Sequence, residues 1–135
     1  MNITVKERGW AGHFIMGHKC MYRRNTLVSG DDISVVVSTV GNMVIDDKRG
    51  VEEVGHNRIY ETMVFVSKFE NGYHEADVTK EVSNTTSNWC LSKEELRDDS
   101  DNQADAMHDN MVEEVAELIR TNNVKTYYRE EYDYE

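Results

Sequence analysis

The chain has 135 residues, 39% of them hydrophobic, no proline and a formal net charge of −11 at pH 7. This length and apolar content predict one folded domain with a hydrophobic core, and no apolar run approaches the roughly 18 residues of a membrane-spanning helix. Residues 92–135 hold 14 of the 26 carboxylates but only 5 of the 15 Lys and Arg residues. Their negative charge repels phosphate backbones and attracts basic surfaces, which argues against direct binding of duplex nucleic acid.

The segment MNITVKERGW becomes charged within a few residues, unlike the continuous apolar core of a secretory signal peptide. We therefore expect a cytoplasmic protein. In that compartment Cys20 and Cys90 are expected to remain reduced thiols rather than to form a disulfide.

Residues 1–83 show strand patterns separated by turn residues. The longest pattern, residues 58–69, has apolar side chains on both sides, which predicts a central strand covered on both faces. Asn71-Gly72 predicts a tight hairpin leading into a strand at residues 73–78. Shorter patterns predict further strands at residues 2–8, 13–16, 21–29 and 33–40.

Residues 92–121 show helix patterns. Ser92 and Glu95 have the spacing of a capping box, which predicts a short helix starting at Lys93. A long amphipathic helix is predicted from about residue 102 to 121. Its apolar stripe comprises Ala104, Met107, Met111, Val115, Leu118 and Ile119. Its predicted outer surface carries Asp105, Asp109, Glu113, Glu114 and Glu117.

The acidic, Tyr-rich tail at residues 124–135 is predicted either to pair as an edge strand or to be disordered, and we favour the strand. The fold class that follows is α+β. We expect a single domain, residues 1–135, with a curled antiparallel sheet in the N-terminal two-thirds and one long acidic helix packed on one of its faces.

The stretch ERGWAGHFIMGHKC contains residue types found in metal and catalytic sites. His13, His18, Cys20 and Cys90 have zinc-ligand chemistry, but their spacing matches no established zinc motif, so an ordinary hairpin is the better interpretation. The acidic run DDSDNQAD at residues 98–105 lacks the glycine and closing Glu of a calcium loop and is interpreted as a helix entry. No catalytic motif is present, and we predict no enzyme activity, catalytic residue, metal or cofactor.

A pocket for a small anionic ligand, such as a nucleotide signal, is an alternative prediction. Arginine with aromatic and Asn side chains is the residue set that binds such ligands. These arginines could instead form ion pairs with carboxylates on neighbouring strands. The residues of this predicted pocket are Trp10, Arg23, Arg24 and Arg58.

Several segments between residues 7 and about 80 occur in a characteristic combination: ERGWAGHF, then RRNTL, STVGN, GHNRIYETMVF and ADVT. In this combination the chain resembles a group of small uncharacterised proteins of phages, prophages and conjugative elements. The resemblance implies an origin on a mobile element, and a location in the host cytoplasm if a phage encodes the chain. It carries over no functional residue. Small acidic phage proteins without enzyme motifs are often inhibitors of host defence or of host nucleic-acid enzymes.

The leading prediction is therefore a counter-defence protein, of anti-CRISPR or anti-restriction type. It would bind a basic, nucleic-acid-handling partner such as a nuclease or CRISPR effector, with helix carboxylates mimicking a phosphate backbone. The predicted partner-binding residues are Asp98, Asp99, Asp105, Asp109, Glu113, Glu114 and Glu117. A phage structural or morphogenesis protein is a further alternative. The oligomeric state stays open, with a homodimer as one option.

Overall fold

Eight strands in the described part of the chain form one antiparallel sheet. The structure, a computed structural model, describes residues 2–8, 19–44, 51–55 and 57–128. Its strands are β1 (Thr4–Glu7), β2 (Cys20–Ser29), β3 (Ser34–Val44), β4 (Val51–Glu52), β5 (Arg58–Glu70), β6 (Tyr73–Val82), β7 (Cys90–Ser92) and β8 (Thr126–Tyr128). Their order is β1-β2-β3-β5-β6-β8, with β4 beside β3 and β7 beside β5.

The central position predicted for residues 58–69 is confirmed. β5 pairs with β3 on one side and with β6 and β7 on the other. Val64 packs toward the helix, and Phe65, the next residue, is also buried although a strand directs it to the opposite face. The predicted hairpin at Asn71-Gly72 is confirmed as well, and both residues have the positive φ angles that a primed turn requires, 55° and 77°.

Helix α1 (Ser100–Arg120) packs on one face of the sheet, as the apolar stripe predicts. Met111, Val115 and Ile119 join a buried cluster with valines of β2, β3 and β5. A short 3-10 helix, Lys93–Glu95, precedes α1, and the Glu95 carboxylate accepts the N–H of Ser92 at 2.7 Å. This bond confirms the predicted helix start at Lys93.

The sheet is curled, and one arginine side chain demonstrates the curl. β1 and β6 are four positions apart in the strand order, which would separate them by about 19 Å in a flat sheet. Nevertheless, Arg8, which directly follows β1, donates from Nη1 to the carbonyl of His74 on β6 at 2.6 Å. Its Nε and Nη2 donate to Asn25 Oδ1, so this contact lies on the face of the sheet opposite α1.

The chain after α1 returns to the sheet. β8 pairs with the end of β6, with Glu81 opposite Tyr127, so an edge strand forms where the Tyr-rich segment begins. Residues 129–135 lie outside the described residues, as does the strand predicted at residues 13–16. The predicted α+β architecture, with a curled antiparallel sheet and one long helix on one face, is confirmed.

Candidate functional site

The acidic residues of α1 divide into groups by their angle around the helix axis. Successive residues of an α-helix are about 100° apart, so Asp105 and Glu114 lie on opposite sides of α1, about 180° apart. Asp109, Glu113 and Glu117 lie between these two, within an arc of about 80° centred away from the sheet. We call these three residues the outer acidic face. All three are exposed, whereas Asp105 and Glu114 are half-buried.

On one rim of the helix, carboxylates converge on a single arginine. Arg24 of β2 makes a two-pronged contact with Glu7 of β1, with Nε and Nη2 at 3.1 and 2.6 Å from the two carboxylate oxygens. The same guanidinium lies 3.2 Å from Asp105 and 3.1 Å from Asp109. We call Glu7, Arg24, Asp105 and Asp109 the Arg24 cluster. Its three carboxylates and one guanidinium leave it net negative.

The Arg24 cluster also includes contacts that fix the first half of α1 on the sheet. Tyr22 donates its hydroxyl to Asp105, and burial followed by this bond raises the pKa of Tyr22. The hydrogen bond from Arg24 holds the pKa of Glu7 below its ordinary value, so Glu7 is ionised at neutral pH. Asp105 therefore contributes to docking the helix as well as to its charge.

On the opposite rim, Glu114 anchors the connection between β6 and β7. Its two carboxylate oxygens accept the backbone N–H groups of Thr86 and Ser87, and they also accept both hydroxyls. Burial opposes ionisation of Glu114, but the hydrogen bonds from Ser87 and Thr86 together hold its pKa below the ordinary value. Glu114 therefore stabilises a connection, which differs from the role of its neighbour Glu113 on the outer acidic face.

The predicted residues Asp98 and Asp99 lie at the start of α1. Together with Asn42, Ser100, Asp101 and Asn102 they line an open cavity of about 270 Å³. Asp101 accepts the hydroxyl of Tyr60 at 2.6 Å and the amide of Asn42 at 3.0 Å. Burial followed by the bond to Asp101 raises the pKa of Tyr60 to about 12. These contacts attach the first turn of the helix to β3 and β5.

A chain of buried polar side chains runs under α1. His108 is fully buried, and Thr26 of β2 and Thr39 of β3 contact its two ring nitrogens. Thr39 in turn contacts Thr62 of β5, and Thr26 contacts Glu7 of the Arg24 cluster. We call these five residues the His108 chain. Burial, followed by the nearby Arg24 charge, lowers the pKa of His108 to about 4, so this residue is neutral at pH 7.

Two arginines of the predicted ligand pocket, Arg23 and Arg24, do not share one face of the sheet. Arg24 lies on the helix side of the sheet, and alternation along β2 directs Arg23 to the opposite face. Arg58 forms an ion pair with Glu61 at 2.6 Å and lies over the ring of Trp89. Trp10 lies outside the described residues.

The candidate metal ligands are likewise only partly described. Cys20 is buried and Cys90 half-buried, and both are free thiols. Burial raises the pKa of Cys20 to about 11, the opposite of what a nucleophilic thiol requires. His13 and His18 lie outside the described residues, and the described part contains no group of three or more His, Cys, Asp or Glu residues that could hold a metal ion.

Comparisons of the chain with protein-family models, with curated proteins and with solved structures find no match. Within residues 2–8, 19–44, 51–55 and 57–128, no helix combines the length and apolar character needed to cross a membrane. Because a fold does not by itself imply a function, the functional argument rests on the residues of the site.

Two features of the site were missed by the sequence interpretation. The first is His108, which the helical period places between Ala104 and Met111 on the buried stripe, so its burial could have been expected from spacing. The second is the anchoring role of Glu114. No local signal identifies it, because its partners Thr86 and Ser87 lie 28 and 27 residues away in the chain.

Proposed function

We propose that this protein binds a basic protein partner through the outer acidic face of α1. The observation that carries the proposal is the exposure of Asp109, Glu113 and Glu117 within one arc of the helix. Side-chain exposure is 60% for Asp109 and 62% for Glu117. Among the described residues, the cations that contact this face are Arg24 at one end and Arg120 at the other. The middle of the face therefore offers unneutralised charge to a cationic surface.

The partner class that we propose is a nucleic-acid-handling protein of host defence, such as a CRISPR effector or a restriction nuclease. Such proteins carry clustered Lys and Arg that neutralise phosphates. Carboxylates at four-residue spacing provide one charge per roughly 6 Å of helix, whereas duplex DNA provides one per roughly 1.7 Å. The outer acidic face would therefore occupy part of a phosphate-binding surface, with Asp98 and Asp99 extending it beyond the start of α1.

The test is DNA cleavage by a panel of purified CRISPR effectors and restriction nucleases in the presence of the protein. The key variant combines Asp109→Lys, Glu113→Lys and Glu117→Lys, which changes the net charge from −11 to −5. Asp105 is left unchanged because it docks the helix. The matched control combines Asp31→Lys, Asp32→Lys and Glu75→Lys, three exposed carboxylates outside α1 with the same charge change.

We expect inhibition of at least one nuclease by the native protein and by the control, and loss of inhibition in the helix variant. The loss should be greatest in dilute buffer, because exposed charges are screened beyond about 10 Å at 0.1 M salt. Absence of inhibition across the panel, or equal inhibition by both variants, would contradict the proposal.

The second candidate function is the binding of a small anionic ligand on the face of the sheet opposite α1. The observation that favours it is a set of polar side chains on that face of the curled sheet. One row of directly opposed residues crosses β2, β3 and β5 and consists of Arg23, Val40 and Glu61. Glu61 also forms an ion pair with Arg58. Asn25 and Ser38, which are paired directly, are almost fully buried on the same face. Ligand sites are typically concave, and a small number of polar side chains fixes the orientation of the ligand.

Thermal unfolding in the presence of cyclic and adenine nucleotides tests this candidate. A ligand that binds only the native state must raise the melting temperature. Adjacent arginines on opposite faces provide the control: Arg23→Ala should abolish the increase, and Arg24→Ala should preserve it. No increase with any nucleotide, or an equal loss in both variants, would exclude a nucleotide site at Arg23.

A further inference from the structure

The His108 chain links the exposed Arg24 cluster to the centre of the sheet. It comprises Glu7 of β1, Thr26 of β2, His108 of α1, Thr39 of β3 and Thr62 of β5. Every described buried side-chain nitrogen and oxygen has a hydrogen-bond partner. The chain therefore joins four strands and the helix in one continuous set of hydrogen bonds.

The proton positions in this chain follow from the donor and acceptor capacities of its members. Ionised Glu7 can only accept, so Thr26 donates to it at 3.2 Å. A hydroxyl has one proton, so Thr26 must accept the Nε2–H of His108 at 2.7 Å. The Nδ1 atom of neutral His108 is then an acceptor, and Thr39 donates to it at 2.6 Å. Thr39 must accept the hydroxyl of Thr62 at 2.7 Å, so all four bonds point toward Glu7.

The charged and titratable groups near His108 come from three of the elements packed around it. β1 contributes Glu7, and α1 itself contributes Asp105 and Asp109. β2 contributes Arg24, and also Tyr22, which is hydrogen-bonded to Asp105. In the described residues, β3 and β5 contribute to the chain only the hydroxyls of Thr39 and Thr62. The charge of Arg24 therefore opposes the effect of the three carboxylates, which favour protonation of the buried ring.

We propose that the His108 chain is a proton-controlled latch that holds α1 on the sheet. When His108 takes up a proton at Nδ1, it loses its only acceptor atom, and the bond from Thr39 must be broken or reversed. Reversal makes Thr39 donate to Thr62, and the hydroxyl of Thr62 must then donate to an acceptor outside the chain. A cation is also created in the fully buried space beside Arg24. Both consequences weaken the attachment of α1, so helix docking depends on a single proton.

The latch regulates the presentation of α1 but does not depend on the proposed partner. Its test therefore uses the protein alone, and its outcome is separate from that of the nuclease assay. ¹⁵N NMR of the imidazole nitrogens at pH 7 should identify the Nε2–H form of His108. The opposite tautomer would overturn the deduced direction of the chain and with it the latch.

Amide hydrogen exchange of α1 tests the coupling itself. After correction for intrinsic exchange rates, protection should fall by about tenfold per pH unit below pH 6.5, the dependence expected for one linked proton. His108→Gln, which retains a donor and an acceptor, should remove this dependence, and His74→Gln is the matched control that should retain it. The same pH dependence in both variants would overturn the latch.

If His108→Gln fails to fold, the native protein still gives a decision. The fall in α1 protection should then level off at the pH where NMR shows His108 to be half protonated. Titration of His108 with no loss of protection at higher pH would overturn the proposal. Arg24→Gln should strengthen proton binding at His108 by about tenfold, since three carboxylates then face it without a counter-charge. Arg97→Gln, at an exposed ion pair with Asp99, is the control for this effect. An unchanged midpoint would remove Arg24 from the latch.

Discussion

The inner and outer sides of α1 show how position around one helix decides what a polar residue does. On the inner side, His108 is fully buried, and its ring nitrogens are matched by threonines from two strands. On the outer side, Asp109, Glu113 and Glu117 remain exposed to solvent. The inner side carries the buried contacts that dock α1, whereas the outer side carries exposed negative charge.

The two rims between these sides teach a further lesson. Asp105 and Glu114 are both half-buried, yet one binds Arg24 and Tyr22 and the other binds the connection before β7. A carboxylate at a rim is close enough to the sheet to be used as a hydrogen-bond acceptor. Net charge alone therefore overstates the number of carboxylates that are free to bind a partner.

The largest expected effect comes from placing a charge on the inner side. Met111→Asp, at a site with 1% exposure, should lower the unfolding free energy by about 4 kcal/mol, because an unpaired carboxylate is desolvated against the sheet. Met21→Asp, at a site with 75% exposure on β2, is the matched control. Denaturant unfolding followed by circular dichroism measures both. A loss below about 1 kcal/mol for Met111→Asp would mean that α1 is not docked through this side.

The second prediction concerns the pH dependence of the inner side. The pKa of His108 is about 4 in the fold against an ordinary value of 6.5, so between these values the unfolded chain binds one more proton. The unfolding free energy should therefore decrease as the pH falls from 7 to 5, by about 2 kcal/mol. Carboxylates with lowered pKa values, such as Glu7 and Glu114, contribute mainly below pH 4.5. Denaturant titrations at pH 7, 6 and 5 check this, and a flat profile would contradict it.

The third prediction compares a rim with the outer side by using two adjacent residues. Glu114→Ala removes an acceptor for two backbone N–H groups and should cost about 1.5 kcal/mol. Glu113→Ala, one residue away and exposed, should change stability by less than about 0.5 kcal/mol. Thermal unfolding of the two variants in parallel provides the measurement. Equal effects would show that the contact with Thr86 and Ser87 does not stabilise the fold.

The smallest effect is expected on the outer side itself. Asp109→Asn combined with Glu113→Gln should change the unfolding free energy by less than about 0.5 kcal/mol, because exposed ion pairs contribute little. Within the described part of the chain, the variant loses the contact of Asp109 with Arg24, and Arg24 retains Glu7 and Asp105. A loss above about 1 kcal/mol in denaturant unfolding would assign this face to the fold rather than to binding.

Much of the fold follows from local periodicity. Alternation predicts β2, β3 and β5, and the spacing of Ala104, Met111 and Ile119 predicts the buried side of α1, because side-chain direction repeats every two residues in a strand and every 3.6 in a helix. The same alternation separates Arg23 from Arg24, so the grouping of both arginines in one pocket neglected a rule that the sequence already supplies. The exposed positions of Asp109, Glu113 and Glu117 also follow from helix geometry.

The sequence by itself determined the long strands and the helix of this protein, the faces of these elements and the concentration of negative charge in residues 92–135. The short strands β4 and β7 carry no such signal. Only the tertiary structure decided which groups meet: Arg8 with His74, Arg24 with Asp105, and Glu114 with Ser87. These contacts join residues 66, 81 and 27 positions apart. Local spacing carries no information about such pairs, because they depend on strand order, on the curl of the sheet and on the strands over which the helix lies.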